Sequence, residues 1–92
     1  MAQKIKTEHD SSLKGGVFYL VEGGERIAHL TYRKPSSSQY VITYVEVDPS
    51  HRGRGFAKRL VKEMVDFRDE KSADLEATCG VAHGILQKMG EL

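Results

Sequence analysis

A chain of 92 residues, 39% hydrophobic and 29% charged, has room for one domain around one modest core. Its 14 basic and 13 acidic residues are scattered and leave a formal charge of +1, which excludes a broad electrostatic footprint for nucleic acid or an anionic membrane and makes any phosphate binding local. A lone cysteine, Cys79, excludes an internal disulfide and fits a reducing compartment. No stretch approaches the roughly 20 apolar residues of a membrane span, and the start MAQKIKTEHD lacks the apolar centre of a secretory signal, so a cytoplasmic location is expected.

In chain order, a polar N-terminal stretch ends at Gly15-Gly16, and the ordered core of a single domain (1–92) is expected over about 17–90. Residues 17–22 are β-branched and aromatic and stop at Gly23-Gly24, a strand followed by a tight turn. Residues 26–33 alternate as a strand with one buried face, which completes a hairpin. After a turn at Pro35 and the serines 36–38, residues 39–47 are the longest β-rich run, expected as a central strand that Asp48-Pro49-Ser50 terminates, since proline lacks the ladder donor.

From Gly55 the period changes. Phe56, Leu60, Met64 and Phe67 fall on one helical stripe with Ala57, Val61 and Val65 beside it, predicting an amphipathic helix to about Lys71 that packs on the sheet. Residues 73–78 then return as a short strand beside the central one, a right-handed crossover. Val81, Ile85, Leu86 and Met89 recur at helical spacing and predict a terminal helix stopped by Gly90. Three antiparallel strands, a helix, a strand and a terminal helix make an α+β (mixed α/β) fold.

The chemistry lies where strand turns into helix. Glycines at 53 and 55 allow positive φ and close backbone approach, so successive N–H groups can face one concavity. The first N–H groups of the next helix lack internal partners and favour an anion there. Arg52 and Arg54 either add charge at that point or form a solvated rim. A Gly-x-Gly turn is also compatible with a mere tight connection, but the endings of a Walker loop and the spacing of a dinucleotide fingerprint are both missing.

The run Val47-x-Pro49-x-x-Arg52-Gly53-x-Gly55-x-Ala57-x-x-Leu60 resembles the acyl-CoA signature of the GNAT acetyltransferase superfamily: Arg or Gln, two residues, Gly, one residue, then Gly or Ala. The resemblance covers about 17–90. It implies a minimal GNAT-like fold, antiparallel strands plus a β-helix-β crossover and a terminal helix, that uses acetyl-CoA as cosubstrate and no metal. It also implies main-chain contacts from Val45 and Val47 to pantetheine, and phosphate contacts from Arg52, Gly53, Arg54, Gly55, Phe56 and Ala57. Val45-Glu46-Val47 and Cys79 are similar to a short, stand-alone subfamily with a cysteine after the last strand, in which the position of Tyr44 is often His.

Two catalytic candidates follow. Glu46 shares a face of its strand with Tyr44 and can serve as a base; a solvated or ion-paired carboxylate is the plainer reading. Cys79, at the start of the last helix, is either a small core residue or a thiol near the acyl group, touching the cofactor or accepting acetyl covalently. His51 is expected at the loop mouth and exposed, and His83, one helical turn past Cys79, could meet the thiol only if the helix brings it round. The resemblance also marks departures: Leu86-Gln87-Lys88-Met89-Gly90-Glu91 lacks the tyrosine that relatives use as acid, and only Gly23-Gly24 stands where relatives insert helices for the acceptor. Three readings remain: an acetyltransferase acting on an unidentified amine of a small molecule, peptide or protein; a non-catalytic acetyl-CoA or CoA-binding module or sensor; and a domain that binds a protein through its sheet edge. Nucleic acid and membrane are not expected partners.

Overall fold

The structure, a computed structural model, describes residues 4–92; the first three residues of the N-terminal stretch lie outside it. Five strands run β1 (Ile5–Ser12), β2 (Gly15–Glu22), β3 (Glu25–Ser36), β4 (Gln39–Val47) and β5 (Asp74–Ala77), with helices α1 (Phe56–Lys71) and α2 (Gly80–Lys88). The spatial order is the chain order, β1-β2-β3-β4-β5. The first four strands pair antiparallel and β5 lies parallel to β4, so α1 forms the expected crossover.

The sequence reading of three leading strands is corrected to four. The stretch before Gly15 forms β1, in register from Ile5↔Glu22 to Ser12↔Gly15. Its residues are polar because most of the strand is exposed, so it carries no apolar alternation to read. The long run 39–47 sits second from the edge, with the shorter β5 outside it.

Both helices contribute to a single core against one face of the sheet. Leu60, Val61 and Met64 of α1 and Ala82 and Leu86 of α2 are fully buried with Leu20, Leu30 and Ile42 of the sheet. Burying the leucine, isoleucine, valine and methionine side chains contributes about 1.5–3 kcal/mol each. Phe67 is only half-buried, and joins His9, Phe18, Tyr32 and Tyr40 in an aromatic cluster at the β1 end. The α2 expectation needs one correction: Val81 points outward at 54% exposure, and Ala82 takes the buried place.

Both helices end in the same way. Gly90, at φ 76°, donates its N–H to Gln87 and Glu91 donates to Leu86, closing the last turn of α2. At α1 the left-handed position falls to Ser72, φ 52°, with N–H groups of Ser72 and Ala73 reaching Asp69 and Arg68. Among the described residues no helix is long and apolar enough to cross a membrane.

Candidate functional site

The site grows out of an irregularity in β4. Thr31 pairs with Tyr44 but the next residue, Tyr32, pairs with Ile42, so Thr43 is an extra residue in β4, a β-bulge. Its hydroxyl donates to the Thr31 carbonyl at 3.2 Å, which partly compensates the broken ladder. The bulge resets which way the backbone faces. The Ile42 carbonyl accepts from Thr78 N–H at 2.9 Å, toward β5, whereas Asp48 N–H donates to Ile27 at 2.9 Å, toward β3. Counting back by alternation from Asp48, the main-chain groups of Val45 and Val47 face away from β3.

Among the described residues no strand meets them there. The β4–β5 ladder covers only Gln39↔Asp74 to Ile42↔Ala77, after which β5 turns off into α2 and the two strands part. The Val47 carbonyl is taken by Arg52 Nε at 3.2 Å, while Val45 keeps its main-chain groups open to the gap. A strand normally finds partners for these groups, so five residues of one-sided strand are a ready-made edge for a ligand's amides.

Above the gap the chain passes through a short 3-10 turn, Pro49–His51, into Arg52-Gly53-Arg54-Gly55 and α1. Gly53 and Gly55 both have φ 80°, and a Cβ built on either would meet nothing within 4 Å. Glycine is thus required by backbone conformation while the space beside it stays free for a ligand. The first intrahelical bond of α1 runs from Arg59 N–H to Gly55 at 3.0 Å. The N–H groups of Phe56, Ala57 and Lys58 therefore have no helical partner; no side chain caps this helix start and its first turn holds no acid. Such a start is suited to an anion.

A cleft of about 340 Å³ joins gap and loop. Of the residues singled out from sequence, Val45, Glu46, Val47, Arg52, Gly53, Phe56 and Ala57 line it; Gly55 caps the helix beside it, and Arg54 and Cys79 are not among its walls. Arg54 is turned to Glu22 of β2, 3.3 Å away, with its guanidinium 4.7 Å from the centre of the Phe56 ring. His51 is also held by Glu22, at 3.5 Å, and by Ser50, at 3.0 Å; it is a wall of the cleft with a mostly covered side chain, where the sequence placed it only at the mouth.

Tyr44 and Val81 complete the walls; the sequence let Tyr44 look into the cleft beside Glu46 without giving it a role, and Val81 was not assigned to the site. Val81 looked like one more core position at helical spacing. Tyr44 had a readable signal, its period-two relation to Glu46. The two side chains meet: the Tyr44 hydroxyl donates to Glu46 at 2.6 Å. That bond and the carboxylate charge raise the phenol's pKa. Among the described residues Glu46 pairs with no cation, so the ion-paired reading of it is not what the geometry gives.

Cys79 is the N-cap residue of α2, half-buried and packed on the edge of the core, with its carbonyl accepting from His83 N–H at 2.9 Å. The His83 ring is exposed and makes no hydrogen bond to the thiol. Among the described residues no group of three or more His, Cys, Asp or Glu could hold a metal.

A five-stranded mixed sheet that parts beside a glycine loop and an uncapped helix defines an acyltransferase-like architecture. The sequence model of the GCN5-related N-acetyl-transferase family matches residues 17–92, and the chain belongs to that family. No curated protein matches it significantly. Among solved structures it is similar to an IAA acetyltransferase from Bacillus cereus ATCC 14579 (TM-score 0.75, 16% identity, 94% of this chain and 75% of that one). It is similar also to a GNAT family acetyltransferase from Elizabethkingia anophelis with acetyl-CoA bound (0.72, 12%, 95% and 73%). A third is a ribosomal-protein-alanine N-acetyltransferase from Brucella melitensis biovar Abortus 2308 (0.65, 17%, 86% and 65%). At these identities the likeness is one of fold. The chain spans 65% of the Brucella protein and 57% of an aminoglycoside acetyltransferase from a soil metagenome.

Proposed function

We propose that this chain binds acetyl-CoA in the gap between β4 and β5 and transfers its acetyl group to an amine acceptor. The observation that carries the reading is continuity: the open main chain at Val45, the positive-φ Gly53 and the helix start at Phe56 and Ala57 line one cleft, with Gly55 beside it. Its parts suit, in order, an amide-bearing arm and a pyrophosphate. Family membership supports the same ligand.

In this reading Glu46 accepts the proton of the attacking amine, since its carboxylate is exposed in the cleft and free of cations. The last helix carries no phenol, and Tyr44 is the tyrosine that lines the cleft. Its raised pKa keeps it protonated through the neutral range, so it can return a proton to the departing sulfur. In the same reading the thiol of Cys79, at the positive end of α2, reaches the acyl end of the cofactor from outside the cleft walls. The acceptor enters over the face of the sheet that the helices leave uncovered, and the protein works in the cytoplasm.

Calorimetric titration with acetyl-CoA and with CoA, followed by intact mass, tests this. Saturable binding of both is expected. An added acetyl group that vanishes in Cys79→Ala makes the thiol an acetyl carrier, whereas binding with an unchanged mass leaves direct transfer. No binding of either ligand makes the glycine loop a structural turn and ends the proposal.

A further inference from the structure

At the end of the sheet away from the cleft, the tip of β1, the last residues of β3, the first of β4 and the last turn of α1 enclose a small cavity of about 140 Å³. Tyr32, Tyr40 and Phe67 give it an aromatic wall, the last two rings 5.2 Å apart. Two lysines enter it from opposite elements. Lys34 of β3 holds its Nζ 5.8 Å from the centre of the Tyr40 ring, and Lys71 of α1 holds its own 5.7 Å from the centre of the Phe67 ring. No carboxylate is among the walls.

Both lysines are cations without an anion. Neither makes an ion pair or a side-chain hydrogen bond among the described residues, whereas Arg26, Lys62 and Arg68 are tied to Glu8, Asp66 and Asp69. Lys71 has an ordinary reason for its place, because the dipole favours a cation at the end of a helix. Lys34 has none. It is half-buried in a strand, where a charge that loses water wants a partner, and a ring face near the outer limit of about 6 Å offsets only part of that cost.

Two hydroxyls add donors. Ser11 has a wall position with its hydroxyl uncommitted, while that of Ser12 is spent on the Gly15 carbonyl at 3.1 Å. Tyr32 is 4% exposed and shares a hydrogen bond with His9 Nε2; with the imidazole proton on Nε2, the phenol proton is free for the cavity.

We propose that this cavity is an anion site of its own, which takes one phosphate group between Lys34 and Lys71 with Ser11 and Tyr32 as hydroxyl donors. Its volume lies below the several hundred Å³ of a small-molecule pocket, so the group held is the size of an oxyanion. The 16 residues of α1 span about 24 Å, which puts the site a helix length from the helix start at the cleft and makes the inference independent of the cofactor reading. A phosphate there bridges β1, β3 and α1 through charge-assisted bonds and ties down the edge strand.

Amide chemical-shift titration of the isotope-labelled chain with sodium phosphate, against sodium chloride at equal ionic strength, tests this. The amides of Ser11, Ser12 and Lys34 should move saturably in phosphate alone, with a dissociation constant on the order of 1–10 mM, as suits two partly exposed cations. Lys34→Met combined with Lys71→Met keeps both stems on the rings and should weaken binding at least about tenfold. Lys62→Met, outside the cavity, should leave it unchanged. Phosphate drawn to the cleft moves amides 53–58 instead, so the two places are read separately. Glycerol phosphate separates a free ion from the phosphate of a larger molecule: saturation by either at the same amides supports the site, and the tighter of the two names the source. Shifts equal to those in chloride, shifts confined to 53–58, or saturation that survives the double substitution overturn it.

Discussion

The two sides of the sheet are finished in opposite ways. At the β1 edge, side chains from α1 and β3 hold a polar strand in place: Thr7 donates to Glu63 at 3.2 Å, Arg59 donates to the Ile5 carbonyl at 3.2 Å, and His9 Nε2 lies 2.7 Å from the Tyr32 hydroxyl. Polar and charged residues along such an edge discourage pairing with another chain. At the other side, β5 is only four residues long and leaves β4 after Ile42 with its main chain open. One sheet is thus closed by side chains where it needs only stability and left open by backbone where a ligand must dock.

The sharpest way to break this comparison is Gly55→Glu. It puts a carboxylate beside the anion concavity and forces a residue with a Cβ to hold φ 80°. CoA affinity should fall roughly a hundredfold or more, given the repulsion of like charges at contact distance. Calorimetry reads the affinity, and a urea titration should show a stability loss of no more than about 1–2 kcal/mol, since the new Cβ meets open space. Unchanged affinity would place the ligand elsewhere.

The sequence disclosed these two sides unequally, for a physical reason. The open side was legible because its residues must combine rare features: a β-rich run ended by Pro49, glycines at 53 and 55, then a 3.6-residue apolar period from Phe56. The observed β4 and α1 match the residues 39–47 and the helix from Phe56 to Lys71 expected from that pattern. The β1 side was illegible because its contacts are long-range polar ones, Thr7 to Glu63 and Arg59 to Ile5, that leave no local period. The bulge at Thr43, which turns Val45 toward the gap, was equally silent: its neighbours alternate poorly because Tyr40, Val41 and Ile42 are all buried. Arg54 and Glu22 meet across 32 positions, so the loop's charge balance had no sequence signature at all.

The closed side can be probed by pH. The His9 ring stacks 3.9 Å from Phe18, with the edge of Phe67 at 4.8 Å. Burial lowers its pKa below the ordinary 6.5, against the opposing pull of Asp10 on its own strand and Glu63 on α1. Burial also pushes Tyr32 up to about 12, so the imidazole shares its hydrogen bond with a phenol that stays protonated. With the folded pKa below the unfolded one, the unfolded chain takes the proton first. The contribution to stability is complete above the unfolded value and is lost as pH falls through the folded one. Urea midpoints at about pH 7.5 and about pH 5 should therefore differ more in the unsubstituted protein than in His9→Phe, which keeps the stack and cannot titrate. CoA affinity should be the same in both, because His9 lies at the far edge; a parallel loss of affinity would mean the two sides are coupled.

The smallest effect concerns the residue that links them. Glu22 ends β2, pairs with Ile5 of β1, and binds both His51 and Arg54 of the loop. Arg54 cannot serve a phosphate while it is turned to Glu22, and the carboxylate itself opposes an arriving anion. Half-exposed pairs of this kind are worth little, so Glu22→Gln should tighten CoA only about two- to fivefold at low salt, and the gain should disappear at high salt. Adding Arg54→Ala should erase it. If Glu22→Gln weakens CoA instead, Glu22 orients Arg54 toward the cofactor, and the open side depends on the strand next to the closed edge for its charge as well as its shape.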